Sequence, residues 1–250
     1  MDVLVLSFVS ATFVLAGFVK GVVGVGLPTI GMGLLAIVMT PGQAAALLVV
    51  PSFITNVWQC AGSQLVPLLR RMWPMLLGIC AGIWGMRAWA GAGLLTASDS
   101  VYASIGLGTV LAVYAALGLS KVTFVVPEQL EPWLSPLTGG LTGAVTAVTG
   151  VYMIASAPYL QAIGLEKDDL VQSMGLSFTV STLALAVLLI HDGALPTSVA
   201  GASVLALVPA LIGMALGQWV RARARPDVFR ICFFLATLLL GAHLILRALI

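Results

Sequence analysis

The polar side chains embedded in apolar sequence fall into stripes. Ser52, Asn56, Gln59 and Ser63 stand at i, i+4, i+7 and i+11, which is one face of a helix. Ser173, Ser177 and Ser181 follow the same four-residue spacing, with Gln172 and Thr182 beside them. Thr142, Thr146 and Thr149 make a third stripe that ends at Gly150. Hydroxyls and amides arranged this way can line a pocket and replace the water around a small polar guest. They can also serve the protein alone, because Ser and Thr bond the carbonyl four residues back and amides join helices. Spacing leaves both readings open, most of all for Asn56 and Gln59, whose amides are costly in lipid.

A second chemical feature is Gly17–Thr29, GFVKGVVGVGLPT, which lies between the apolar runs Val3–Val19 and Ile30–Met39. Glycine lowers helix propensity, and Pro28 removes a backbone donor and disfavours helix at Leu27. A freed backbone group in lipid costs several kcal/mol, so such a break survives only inside protein or beside a wet cavity. Lys20 is the one basic residue embedded near it. Either it snorkels to an interface, or it faces a cavity and draws anions, helped by N–H groups where helix restarts near Thr29. Gly24, Gly26 and Pro28 would let backbone approach a ligand, and Tyr152 and Gln161 could flank the corresponding second break. Hydroxyls, amides, one cation and no embedded carboxylate suit a small oxyanion better than a metal cation.

Other chemistry is not indicated. GVVGVG lacks a preceding strand and a following GK[ST], so it is no nucleotide loop. His191-Asp192 reads as a surface turn without a nucleophile. There is no HExxH, CxxC or pair of intramembrane aspartates, which argues against a protease or metal pump. Cys60, Cys80 and Cys232 are scattered in apolar sequence and read as packing residues. We expect no metal, no cofactor and no enzymatic activity.

The elements that must carry these residues follow from composition. The 250 residues are 60% hydrophobic and 8% charged, whereas a soluble domain carries about 25% charged residues. The chain is therefore an all-α polytopic membrane protein whose partner is the lipid bilayer. Its net charge of +2 gives no reason to expect nucleic acid. The N-terminus lacks a basic n-region and reads as a retained first span. Eight spans are predicted: Val3–Lys20, Gln43–Gly62, Met72–Met86, Val101–Leu119, Leu134–Ile163, Leu170–Ile190, Ser198–Val220 and Ile231–Ile250. Ser63–Arg71, Arg87–Asp99, Ser120–Trp133, Gly164–Asp169, His191–Thr197 and Arg221–Arg230 are the predicted connections. Asp99 and Asp169 fall near span ends. Arg87, Lys167 and the Arg221/Arg223/Arg225 cluster favour one membrane side and Arg70 and Arg71 oppose it, so charge leaves orientation undecided.

Motifs recur across the middle of the chain. Gly17-xxx-Gly21 returns as Gly139-xxx-Gly143, Ser52 and Asn56 as Ser177 and Ser181, and Gly78-xxx-Gly82-x-Trp84 as Gly213-xxx-Gly217-x-Trp219. The order is preserved, as a duplication would leave it. We therefore expect two homologous four-helix repeats, 1–126 and 127–250, each with a broken or re-entrant Gly/Pro-rich segment after its first span. Lys121, Glu128 and Glu131 mark the polar midpoint. Whether the repeats are parallel or inverted is open, and a homo-oligomer is compatible with the sequence.

KGVVGVGLPT (Lys20–Thr29), AALLVVPSFITNVWQ (Ala45–Gln59) and PYLQAIGLEKDDLVQSMGLSFTVSTLALA (Pro158–Ala186) resemble the sulfite exporter TauE/SafE family of membrane permeases. The resemblance covers nearly the whole chain. It implies a bacterial inner-membrane permease of about eight spans that moves sulfite, sulfonates or related organosulfur anions. It also implies that the two Gly/Pro-rich segments and the helices after them meet at the centre. Thr149-Gly150 stands where the first half has Leu27-Pro28, so the halves are not chemically equivalent. A transporter of another small solute or metal ion, and a non-transporting scaffold subunit, are the alternatives.

Overall fold

A computed structural model describes residues 3–91, 95, 101–120, 125–223 and 226–249. Asp99, Lys121 and Arg225 lie outside the described residues. Among those described, the order is α1 (Val3–Val23), α2 (Leu27–Leu35), α3 (Pro41–Cys60), α4 (Leu65–Ala90), α5 (Val101–Leu119), α6 (Glu131–Thr149), α7 (Ser156–Ala162), α8 (Lys167–His191), α9 (Thr197–Arg221) and α10 (Pro226–Leu249). By length and composition α1, α4, α8, α9 and α10 are long and apolar enough to cross a membrane. No strand occurs among the described residues.

Local chemistry sets the boundaries. The chain breaks at 24–26, where Gly24 and Gly26 take φ values of 85° and 125° that an L side chain rarely adopts. Gly17 and Gly21 stay helical inside α1, and Pro28 opens α2 in its first turn, where its missing N–H is harmless. At α3, the Thr40 hydroxyl accepts from Gln43 N–H (3.4 Å) while Gln43 Oε1 accepts from Thr40 N–H (3.1 Å), a reciprocal cap. The expected segment Leu134–Ile163 divides in two: Gly150, at φ 70°, ends α6 in the left-handed conformation, and α7 follows.

Several expected connections are instead helical. Leu65–Arg71 belongs to α4, Arg87–Ala90 ends it, Glu131–Trp133 opens α6, and Pro226–Arg230 opens α10. The charges that suggested a loop at Arg71 are satisfied on the helix. Arg71 Nε and Nη2 donate to the Glu131 carboxylate at 2.7 and 2.8 Å, and Nη2 also reaches Ile163 O at the end of α7 (3.2 Å). The His191-Asp192 turn is likewise held, by Arg87 Nε donating to Asp192 Oδ1 at 2.8 Å.

The chain forms two compact units, and each draws on both halves of the sequence: Met1–Pro51, Leu95–Lys121 and Ala194–Ile250 in one, Ser52–Leu94 and Val122–Gly193 in the other. In the first unit α1 lies parallel to α9, backbone close on backbone, because Gly17 and Gly21 face Ala210 and Met214 while Gly213 and Gly217 face Val14 and Phe18. In the second unit Gly78 and Gly82 of α4 meet Gly139, Gly140 and Gly143 of α6 in the same parallel fashion. Alpha-helices α5 and α10 run antiparallel, through Gly108 against Gly241 and Gly118 against Phe234. Tyr114 packs edge-on to Phe233 and Phe234 at centroid distances of 6.3 and 5.3 Å.

Helix α9 shows why the medium must be lipid. Its Gly213 and Gly217 face α1, while Leu205, Val208, Ile212, Leu216 and Trp219 are exposed. Such a continuous apolar stripe would be costly in water and is favourable in hydrocarbon.

A prediction separates close packing from mere helix propensity. On α4, a Cβ at position 82 would strike the Gly140 carbonyl, whereas at position 85 it meets nothing within 4 Å. Gly82→Ala should destabilise the purified protein by about 1–3 kcal/mol, and Gly85→Ala should leave the melting temperature unchanged or raised; thermal unfolding in detergent measures both.

Candidate functional site

The second unit gathers polar side chains at the break between α6 and α7. Tyr152, two residues past Gly150, is buried and packs its ring against Phe178 of α8 at 5.2 Å. Asn56 on α3 is fully buried, and its Nδ2 donates to Tyr152 Oη at 3.1 Å and to Thr182 Oγ1 at 3.3 Å. Ser52, one turn earlier, stands beside the same phenol, although its hydroxyl meets no partner of good hydrogen-bond geometry. Three helical segments thus converge on one point: α3, the break after α6, and α8.

The break is repaired by its own neighbours. Thr149 Oγ1 donates to Val145 O at 2.8 Å and accepts from Val151 N–H at 3.2 Å. Ser156 Oγ donates to Tyr152 O at 2.6 Å. Together these bonds serve both an amide and a carbonyl that a continuous helix would have paired.

Within each hydroxyl stripe some members are occupied and others are not. Thr146 donates to Thr142 O at 2.6 Å, Ser181 to Ser177 O at 2.9 Å and Thr182 to Phe178 O at 2.7 Å. The Thr142, Ser173 and Ser177 hydroxyls are buried with no hydrogen-bond partner among the described residues. A buried polar group left unpaired costs about 1–3 kcal/mol, which makes these three the candidates for contact with a guest.

The two glutamines do different work. Gln59 Nε2 donates to Val171 O at 3.1 Å, and Gln172 Nε2 donates to Cys60 O at 2.8 Å. This reciprocal pair clasps α3 to α8, which run antiparallel, and satisfies the carbonyl left over at the end of α3. Gly175 lets the helices close up, since a Cβ there would stand 2.7 Å from Cys60 N. Gln161 is exposed on α7 and takes no part in the buried cluster.

The remaining candidates lie in the first unit. Lys20 is 5% exposed, so its amine lies inside the protein and does not snorkel to the surface. Pro28 and Thr29 are buried in the first turn of α2, just past the positive-φ glycines Gly24 and Gly26. Among the described residues, no group of three or more His, Cys, Asp or Glu side chains is assembled that could hold a metal ion.

Long apolar helices with lipid-facing stripes, and a buried cluster of neutral donors at a helix break, define a multi-pass membrane protein. Compared with known proteins, residues 9–244 match the family model described as sulfite exporter TauE/SafE. The chain belongs to the TauE/SafE family, whose members are membrane transporters of sulfite and other anions. No curated protein and no solved structure matches it.

Sequence reasoning overlooked Phe178, the ring partner of Tyr152, because a phenylalanine in an apolar span carries no signal of its own. It also overlooked Ser203, although Pro51 in the middle of α3 announces a carbonyl in need of a donor.

The glutamine clasp gives a stability prediction. Gln172→Leu should cost about 1–3 kcal/mol by leaving the Cys60 carbonyl unpaired, whereas Gln161→Ala should leave the thermal midpoint where it is.

Proposed function

We propose that the chain is a secondary carrier, acting as an exporter, for sulfite, a sulfonate or a related small organosulfur anion. The observation that carries this reading is the union of Asn56, from the first half of the sequence, with Tyr152 and Thr182, from the second. Such a meeting is what a site between two repeats requires. Asn56, Tyr152 and the unpaired hydroxyls of Ser177, Ser173 and Thr142 supply neutral N–H and O–H donors to replace the water of an anion's oxygens. Neutral donors hold an anion without trapping it, which suits a group that must also let go. For Lys20 the proposal is an anion-attracting charge within the first unit. The chain turns nothing over chemically in this reading.

The proposal includes eight spans in two repeats, 1–126 and 127–250, in a bacterial inner membrane. Helix polarity supports an inverted duplication. The repeat mates α3 and α8 run antiparallel, as do α5 and α10. A parallel duplication would carry each pair in one direction. The matched glycine pairings α1 with α9 and α4 with α6 fit the same scheme, each repeat lending its first long helix to the other's fourth.

Reconstitution in proteoliposomes tests it. Wild-type protein should move sulfite or a short alkylsulfonate down its gradient, and Asn56→Ala and Ser177→Ala should each lower the flux about ten-fold, the worth of one buried hydrogen bond to a charged guest. Full flux in the double variant would remove this site, and no flux from the wild type with any sulfur anion would remove the carrier.

A further inference from the structure

Alpha-helix α3 contains Pro51, so the carbonyl of Leu47 loses the N–H that a continuous helix would give it. In a chain that spans lipid that carbonyl needs another donor. The donor comes from α9. Ser203 Oγ donates to Leu47 O at 2.7 Å and accepts from Val50 N–H at 3.1 Å, and Ser203 is fully buried. One hydroxyl therefore sits in the proline turn as a wedge, occupied by a carbonyl and an amide of the same helix. The next residue along α3 is Ser52, and Asn56 follows one turn later.

We propose that Ser203 is a positioning residue of the carrier, fixing the proline turn of α3 and through it the orientation of Ser52 and Asn56. The inference rests on the carrier reading for its transport consequence, and on the hydrogen bonds alone for its structural one. Ser203 touches no substrate. Its effect passes through the helix, where a small change in the direction of one turn displaces every donor beyond it. The wedge explains why a proline can be carried at a buried position of α3 so close to Asn56. It also explains a serine in the apolar sequence of α9, where every neighbouring turn is built from Ala, Val, Leu and Gly.

The test pairs two readouts in nanodisc-embedded and vesicle-embedded protein: amide hydrogen exchange at Val50 and at Ser52–Asn56, and the sulfite concentration that half-saturates flux. Ser203→Ala should raise both about ten-fold, as expected for a buried carbonyl deprived of its donor and an amide deprived of the hydroxyl that accepts from it. Ser203→Thr, which keeps the hydroxyl, should stay near wild type in both. Pro51→Ala returns an N–H to the Leu47 carbonyl, so in that background Ser203→Ala should be nearly silent. Unchanged exchange in Ser203→Ala, or an equal loss with and without Pro51, overturns the proposal. Should Ser203→Ala fail to fold, recovery of folded protein in the Pro51→Ala, Ser203→Ala double variant supports it and continued failure overturns it. A wild type without sulfite flux overturns the carrier and the transport role of Ser203 together, whereas unchanged exchange in a flux-competent protein overturns the wedge alone.

Discussion

Inside a bilayer there is no water to repair a broken helix, and this single constraint organises the chain. At several of the places where the helical ladder is interrupted a side chain serves the orphaned backbone group. Thr149 and Ser156 serve the break after α6, Gln172 serves the end of α3, and Ser203 serves the proline turn. Arg247 on α10 donates to Ile37 O at 2.7 Å, just past α2, and Arg71 reaches the end of α7. Polar residues in this protein are thus mostly creditors of the backbone. The few that owe nothing to it, such as the hydroxyls of Ser173, Ser177 and Thr142, stand out for that reason.

The same constraint accounts for the glycines. With lipid on the outer faces, water expulsion does not drive one helix onto another, and close van der Waals contact takes its place. That contact needs small residues on both partners, and Gly17, Gly21, Gly213 and Gly217 provide them in the first unit as Gly78, Gly82, Gly139 and Gly143 do in the second. On α9 the outer face is left to larger residues such as Leu205, Leu216 and Trp219.

This division explains what the sequence made legible. The helical character, the break near Pro28, the second break at Gly150 and the small-residue faces were all visible, because each is written in residue type and spacing. Which face meets which was not visible. A Gly-xxx-Gly pair announces close approach without naming the neighbour, so the exchange of partners between halves had to come from coordinates. The Gly17–Thr29 break moved to Gly24–Gly26 because Gly17 and Gly21 are used for packing, not for turning. Arg71 looked like a loop residue because its partner Glu131 lies far along the chain. Among the hydroxyls, spacing could not tell donors bound to their own helix from donors held free, since the carbonyl four residues back is available to all.

The pairing of α1 with α9 has a consequence for how the protein is made. Helix α1 leaves the ribosome well before α9, the partner to which it presents its glycine face. Until then Gly17 and Gly21 have no complementary surface, and the first unit cannot close. Assembly of that unit is therefore a late event set by the length of the intervening chain, and a nascent protein halted before residue 197 would carry an unmatched seam exposed to lipid and to whatever insertion machinery shields it.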